Sequence, residues 1–345
     1  MNIAIATDKF QHSGGMERYV FDLVQGFLAQ QHSVEVLAMK SSPEFAALCP
    51  TNTLGQFPIA QLRYAVFNIK VQKRLPENSK LIATSLVDNA DILICGGTTI
   101  GFIAHKKKRS IKSKMTIKRG FSAYQTAKKI VAHSQKMAEE LQHFYHIDPK
   151  KIITIYPPVD TQNFYPLSNK ERQNLRQKFG FKDNENILLF PSGDHERKGL
   201  PLILDCVKNI QSQLNFPIKI AVCGTKSVQN ENVINLGFIK NMPELYNAVD
   251  FSILASNYEP FGLVGVESIL CGTKIIFAKN CGCCEVIQNT DDLFFDRMKP
   301  ETLKQSLFKA DKMKLENNHK INNPQEYILY NPTLSNHIDK LLALV

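Results

Sequence analysis

No apolar run in the 345-residue chain approaches the roughly 18 residues that a membrane-spanning helix needs. The N-terminus, Met1-Asn2-Ile3-Ala4-Ile5-Ala6-Thr7-Asp8, is too short and too poor in positive charge for a signal peptide and reads as a first strand. The chain is therefore expected in the cytoplasm, with its eight cysteines as thiols. The one cysteine cluster, Cys281-Gly282-Cys283-Cys284, lacks a second pair or nearby histidines at ligand spacing. Small residues in a tight turn are expected there, and no metal. Other absences narrow the chemistry. There is no G-x-G-x-x-G, which removes support for a dinucleotide dehydrogenase, and no G-x-x-x-x-G-K-S/T, which excludes a P-loop. No convincing Asp-x-Asp motif, internal repeat or low-complexity tract is present.

Acidic residues are also missing locally. Positions 92–138 contain none, yet hold Lys106, Lys107, Lys108, Arg109, Lys112, Lys114, Lys118, Arg119, Lys128, Lys129 and Lys136. Residues 1–160 carry 21 Lys and Arg against 12 Asp and Glu, whereas residues 161–345 carry 21 against 20. The net charge of +10 thus belongs almost wholly to the first half. Such a field attracts a polyanionic surface: anionic lipid, nucleic acid or an acidic acceptor. A solvated basic face is the plainer alternative. No RNA-binding motif or aromatic platform supports nucleic acid.

What is present describes an ordinary globular protein, 43% hydrophobic and 21% charged, of a length that suits two domains. Ile3, Ile5 and Ala6 begin a strand. A helix follows Gly14-Gly15 with Val20, Leu23, Val24, Phe27 and Leu28 at helical spacing, and Val34, Val36 and Leu37 form a second strand. This βαβ unit implies a parallel sheet. Ile92–Cys95, 129–132 and 152–155 continue it, with a short amphipathic helix over 137–144. Tyr156-Pro157-Pro158-Val159-Asp160 marks a break. A second series follows, with strands at 187–190, 218–223, 233–236, 251–254 and 274–278 and helices at 200–213, 242–249 and from Leu263. Short apolar segments at 285–287 and 293–295 extend it, and the last 45 residues read as helical and polar. The expected fold class is α/β, with two doubly wound domains: 1–160, 161–325, and a C-terminal helix at 326–345 with room to pack back on the first. Ligands of such sheets sit beyond the carboxyl ends of the strands.

Three stretches at those ends carry chemistry. In Glu259-Pro260-Phe261-Gly262-Leu263-Val264-Gly265-Val266-Glu267, two glutamates bracket a glycine turn between a strand and a helix. Free N–H groups at the helix start attract an anion, and a carboxylate further along can accept from sugar hydroxyls. Together they suit a phosphate and a polyol; a solvated Glu and a capping Glu are the bland alternative. Ser192-Gly193-Asp194-His195-Glu196-Arg197-Lys198-Gly199 sets an adjacent Arg and Lys at a strand end, suited to phosphate oxygens or simply solvated. Gly14-Gly15, after the first strand, permits close approach of a phosphate to a helix N-terminus or serves only as a turn.

Gly14-Gly15-Met16-Glu17-Arg18, the 192–199 loop, the 259–267 stretch, Gly272-Thr273-Lys274-Ile275-Ile276 and Gly282-Cys283-Cys284-Glu285, in that order, resemble glycosyltransferase family 4 over nearly the whole chain. These are retaining enzymes of the GT-B fold, two Rossmann-like domains facing across a cleft. The Asp194-x-x-Arg197-Lys198-Gly199 form is most similar to the lipopolysaccharide core glucosyltransferases. The resemblance implies a nucleotide-sugar donor, UDP-glucose first, and a glycan or glycolipid acceptor of the cell envelope. It implies that Glu267 binds the donor ribose and that Glu259 contacts the transferred sugar. Gly262, Leu263 and Val264 would hold the phosphates by their N–H groups, with Gly14, Gly15 and Gly193 also at the donor. Arg197 and Lys198 would stabilise the departing diphosphate, so that no metal or other cofactor is required. Many relatives carry a histidine after the strand matching Ile92–Cys95. Here the place reads Gly96-Gly97-Thr98-Thr99-Ile100-Gly101, which makes Thr98 and Thr99 the acceptor candidates and His105 the nearest histidine. That departure motivates the alternative of a non-catalytic nucleotide-sugar or glycan-binding protein. The basic first half adds an expected peripheral attachment to an anionic leaflet.

Overall fold

The computed structural model describes all residues except 13, 60–61, 105–110 and 225, together with the side chains of Lys112 and Asp291. The chain forms two compact units, one of Met1–Pro158 with Pro332–Val345 and the other of Val159–Asn331. The second unit starts slightly before residue 161 because Asp160 opens its first turn, accepting from Phe164 N at 3.0 Å. It runs on past residue 325 because Ile328 bridges to Ile287.

In the first unit, β1 (Asn2–Phe10), β2 (Ser33–Ser41), β3 (Thr51–Thr53), β4 (Lys80–Ala83), β5 (Ile92–Cys95), β6 (Lys129–Ala132) and β7 (Ile152–Thr154) form one sheet. Their order is β3-β2-β1-β4-β5-β6-β7, and every pairing is parallel. The order reverses between β1 and β4, so the carboxyl ends of these two strands frame a ligand-binding crevice. The helix Gly15–Ala29 covers one face through Val20, Leu23, Val24 and Phe27. The C-terminal helix Leu334–Leu342 joins the same core through Ile338 and Leu341. His337 anchors it. The Tyr156 carbonyl can only accept, so His337 Nδ1 donates to it at 3.0 Å, and Nε2 pairs with the Tyr19 hydroxyl at 2.8 Å. Burial above all lowers the His337 pKa to about 4, which keeps the ring neutral and Nε2 an acceptor.

In the second unit, β8 (Asn186–Pro191), β9 (Ile218–Cys223), β10 (Val233–Gly237), β11 (Phe251–Leu254) and β12 (Lys274–Phe277) form a parallel sheet in the order β10-β9-β8-β11-β12. Every residue of β8, β11 and β12 is buried, including Asn186, Ser252 and Lys274, as a largely apolar sheet covered on both faces requires. The reversal lies between β8 and β11. Two expected segments differ. Residues 285–286 belong to a 3-10 turn, Gly282–Val286, and Phe295 contributes a single bridge to Ala278. Both stretches are too short to add a strand beyond β12.

At the amino ends of β8 and β11, Asp250 gathers several elements. It is 3% exposed on its side chain and faces Lys314 Nζ at 2.9 Å, Arg176 Nη1 at 3.3 Å and His319 Nε2 at 3.3 Å. It also accepts from Ile187 N at 2.7 Å. Burial alone raises a carboxyl pKa, but the His319 hydrogen bond and the charges of Lys320, Lys314 and Arg176 outweigh it and hold Asp250 well below the usual carboxylate range. A depressed folded-state pKa gives stability that is present above the ordinary carboxylate pKa of about 4 and lost as the pH falls below it. Asp250→Asn leaves buried cations without their counter-charge. It is expected to lower the unfolding free energy of the second unit by about 3–5 kcal/mol in urea titrations at neutral pH.

Candidate active site

The loop after β8 and the loop after β11 lie side by side and are joined main chain to main chain. Ala255 N donates to Lys198 O at 3.1 Å, and Asn257 N donates to Arg197 O at 2.8 Å. Asp194 starts the short helix His195–Lys198 by accepting from Arg197 N at 3.2 Å. Gly199 ends it at φ +81, and a Cβ there would stand 2.1 Å from the Ala255 carbonyl oxygen. Only glycine allows both the left-handed turn and the close approach.

The side chains follow from that backbone. Arg197 Nη1 donates to the Tyr258 carbonyl at 2.7 Å and to Glu259 Oε2 at 3.2 Å, and Glu259 also accepts from Ser256 Oγ at 3.3 Å. Arg197 and Glu259 retain 25% and 14% side-chain exposure, so the pair is shielded but reachable. Lys198 Nζ donates to the Pro191 carbonyl at 3.0 Å, which occupies one of its three N–H bonds. A third loop holds the Glu259 turn from the far side. Gly282 N donates to Glu259 O at 3.1 Å, and a Cβ on Gly282 would stand 2.0 Å from the Pro260 carbonyl oxygen. The cysteine turn is thus packing: Cys281 and Cys283 are buried, and Cys283 Sγ fills the space beside Gly262 and Gly265.

Gly262 caps the helix Leu263–Leu270 at φ +90 and offers no side chain to its first-turn N–H groups. Glu267, on the same helix, accepts from the Tyr246 hydroxyl at 2.8 Å. Burial first, then the Glu267 charge, raises the Tyr246 pKa and keeps that hydroxyl a donor. Gly193 is exposed, with nothing within 4 Å of where a Cβ would stand. The structure therefore brings Arg197, Lys198 and Glu259 together on one switch point, with the helix that carries Gly262, Leu263, Val264 and Glu267 leaving the same loop.

In the first unit, Gly14 caps the helix Gly15–Ala29 without a side-chain bond, and both glycines are exposed. The two threonine candidates part company. Thr98 is 1% exposed; its hydroxyl bonds to Glu140 and accepts from Gly101 N at 3.0 Å, starting the helix Thr99–Ile103. That structural role withdraws Thr98 from contact with an acceptor. Thr99 lines a pocket of about 350 Å³. His105 lies outside the described residues. His133, which sequence reasoning passed over, follows β6 with its Nδ1 3.9 Å from where a Gly96 Cβ would stand. Burial first, then the nearby His337, lowers its pKa to about 3, and its Nε2 has no partner among the described residues.

The basic stretch is more nearly balanced than its composition implies. Two acids just upstream of it supply partners: Asp88 pairs with Arg119, and Asp91 with Lys128 at 2.8 Å. Lys106, Lys107, Lys108 and Arg109 lie outside the described residues, as does the side chain of Lys112. Among the described residues no helix is long and apolar enough to cross a membrane.

Family models match both units: Glycosyltransferase Family 4 over residues 13–163 and Glycosyl transferases group 1 over residues 171–326. A probable transglycosylase of Burkholderia thailandensis is 35% identical over 354 aligned residues, which cover 100% of this chain and 96% of that protein. An uncharacterized glycosyltransferase of Methanocaldococcus jannaschii is 22% identical over 84% of this chain and 83% of its own length. Among solved structures, WaaG, a glycosyltransferase involved in lipopolysaccharide biosynthesis, superimposes with a TM-score of 0.78 at 16% identity, covering 98% of this chain and 95% of that one. Anabaena HepE in complex with UDP gives 0.75 at 18% identity, with 100% of both chains covered. The two parallel, doubly wound units have the GT-B fold, and the family models make the chain a glycosyltransferase. The chain belongs to glycosyltransferase family 4.

The glycine at the loop junction gives a direct check. In Gly199→Ala the new methyl group meets the Ala255 carbonyl oxygen, and the left-handed backbone is strained as well. A loss of about 2 kcal/mol or more in unfolding free energy is expected. A stability within about 0.5 kcal/mol of the parent, within the range of an unconstrained surface change, would show that the two loops are not held as described.

Proposed function

We propose that the protein is a retaining glycosyltransferase that moves a hexose, glucose first, from a UDP-sugar to a cell-envelope glycan such as a lipopolysaccharide core. The observation that carries this reading is the junction of Arg197, Lys198 and Glu259 at the carboxyl ends of β8 and β11, next to a helix start with no side-chain cap. Two fixed cations and a set of free N–H groups suit a diphosphate leaving group, whose charge grows as the bond to the anomeric carbon breaks. Glu259, oriented by Arg197 and Ser256, suits a hydroxyl of the transferred sugar. Glu267, oriented by Tyr246, suits the ribose. Retention follows if the acceptor hydroxyl attacks from the face the diphosphate leaves and gives its proton to a departing phosphate oxygen. Arg197 and Lys198 supply the positive charge, so the reaction as proposed needs no metal. HepE has been solved with UDP and with UDP-glucose, which favours that donor, and WaaG's role in lipopolysaccharide biosynthesis favours that acceptor class.

UDP-glucose is expected to raise the melting temperature of the purified protein, since a ligand bound only to the native state adds stability. Release of UDP is expected to fall roughly a hundredfold or more in Lys198→Ala, the scale of losing one transition-state contact. A comparable fall is expected in Glu267→Ala, with both variants folded and turnover insensitive to EDTA. Normal turnover in both variants would sink the proposal.

The same reading places the protein against an anionic membrane surface. Support comes from the helix Ile111–Thr126, which carries Lys114 and Lys118, and from the exposure of Ile111 and Met115, 70% and 37%, on that helix. Co-sedimentation with vesicles containing phosphatidylglycerol is expected to be strong at low salt and to weaken toward molar salt, where the Debye length shrinks to about 3 Å. Binding that ignores both salt and lipid charge would contradict it.

A further inference from the structure

The pocket of the first unit lies at the switch point between β1 and β4, and its polar centre is Asp8. Tyr64, on the helix Arg63–Arg74, donates its hydroxyl to Asp8 Oδ2 at 2.8 Å. Ser85, just past β4, donates to Oδ1 at 2.6 Å. Each carboxylate oxygen thus accepts one bond from the protein. Two oxygens offer about four acceptor positions, which leaves one on each oxygen for a ligand. Burial, then the Asp8 charge, raises the Tyr64 pKa well above its ordinary value, so this hydroxyl stays a donor and fixes the carboxylate plane.

The other charges of the lining cancel, with Lys9 Nζ 3.5 Å from Glu17 Oε1. The pocket therefore carries about one negative charge, opposite in sign to the basic stretch of the same unit. The rest of its wall mixes hydroxyls, Thr84, Thr99 and Thr116, with the aliphatic surfaces of Leu86, Leu93 and Ile94. The Met16 methyl group closes one side, lying over Gly96 at 2.1 Å from where a Cβ would stand. A planar, doubly anchored carboxylate with one open position on each oxygen matches two neighbouring hydroxyls. The aliphatic wall matches the C–H face of the ring that bears them.

We propose that this pocket binds an uncharged sugar unit of the acceptor, with Asp8 accepting hydrogen bonds from two vicinal hydroxyls, and that it rejects a phosphorylated unit. The inference rests on the glycosyltransferase reading for the word acceptor, but the binding can be measured without turnover. The probes are methyl α-glucoside, methyl α-galactoside and methyl α-mannoside, followed by saturation-transfer NMR with UDP present to occupy the donor site. At least one glycoside is expected to bind the wild-type protein. Asp8→Asn is expected to weaken it about tenfold or more, the scale of losing a hydrogen bond to a charged group, while UDP binding is unchanged. The corresponding sugar phosphates are expected to bind more weakly than the glycosides. Leu86→Trp obstructs the pocket without touching the carboxylate and should abolish the glycoside signal, which keeps the test decisive if Asp8→Asn does not fold. Absence of any glycoside signal in the wild type, or unchanged glycoside binding in the folded variants, would overturn the proposal. So would sugar phosphates that bind as tightly as the glycosides. Loss of the UDP signal instead, with glycoside binding intact, would strike the donor reading and leave this one standing.

Discussion

The candidate donor site depends on two backbone contacts that admit no side chain. Gly199 lies against the Ala255 carbonyl and Gly282 against the Pro260 carbonyl, each too close for a Cβ. The first lets the loop after β8 hydrogen-bond to the loop after β11 through Lys198 O and Arg197 O, and the second lets Gly282 N reach the Glu259 carbonyl. Arg197 and Lys198 are consequently held by main chain that belongs to both loops, and Glu259 is held between Arg197 on one side and Gly282 on the other. Rigid placement of charge is what electrostatic catalysis requires, because donors already oriented need no reorganisation as the leaving-group charge grows. The salt bridge between Arg197 and Glu259 is then better understood as orientation than as stability, since half-shielded ion pairs contribute little to folding.

Charge is sorted by position along the strands. In the second unit the buried Lys314 and the half-buried Arg176 collect at the amino ends of β8 and β11, around Asp250, where a carboxylate inside the protein answers them. The cations at the carboxyl ends, Arg197 and Lys198, remain partly exposed, and among the described residues Lys198 Nζ is matched by the Pro191 carbonyl and no carboxylate. The same residue types serve as structure at one end of the sheet and, at the other, sit partly exposed in the candidate site. In the first unit the sign inverts within one domain: Lys114, Lys118 and Lys128 are exposed, and a pocket is built around a carboxylate. A single acceptor meets both conditions only if its anionic portion and its reacting sugar are separate parts of the molecule.

Legibility from sequence followed the length and continuity of the apolar signal. The buried strands β8, β11 and β12 are mostly apolar and bounded by polar or glycine turns, and their positions were plain. β4, four residues long, and β3, the threonine-rich edge strand Thr51–Thr53, gave no periodic pattern, although β4 sits at the centre of its sheet beside β1. The grouping of Arg197, Lys198 and Glu259 was legible because both loops follow strong strands. What oriented them was not: Tyr246 lies 21 positions from Glu267, and no local spacing joins them. The first unit's pocket was the least legible of all. Asp8, Tyr64 and Ser85 come from three elements spread over 77 positions, and no motif links a strand-end aspartate to a helix tyrosine. Thr98 and Thr99 show the limit of reading by neighbourhood. They are adjacent in sequence, but one faces inward to cap a helix and bond to Glu140, while its neighbour lines the pocket.

The segment after β5, where the histidine of many relatives is expected, has a physical setting of its own. Gly96 stands where a side chain would enter, and that space is taken by the Met16 methyl group from the first helix, with the His133 ring from the end of β6 close by. A larger residue at 96 and Met16 in its present rotamer exclude one another. The glycine and the methionine are therefore one solution to filling a single volume, and the wall it creates is aliphatic rather than titratable. Burial leaves His133 neutral, so it adds no charge there. The charged centre of the pocket lies instead at Asp8 on β1, whose carboxylate accepts from Tyr64 and Ser85. The selectivity of the proposed acceptor pocket rests on the fixed carboxylate of Asp8 and on this aliphatic wall, and the two can be changed independently of the loops that hold Arg197 and Lys198.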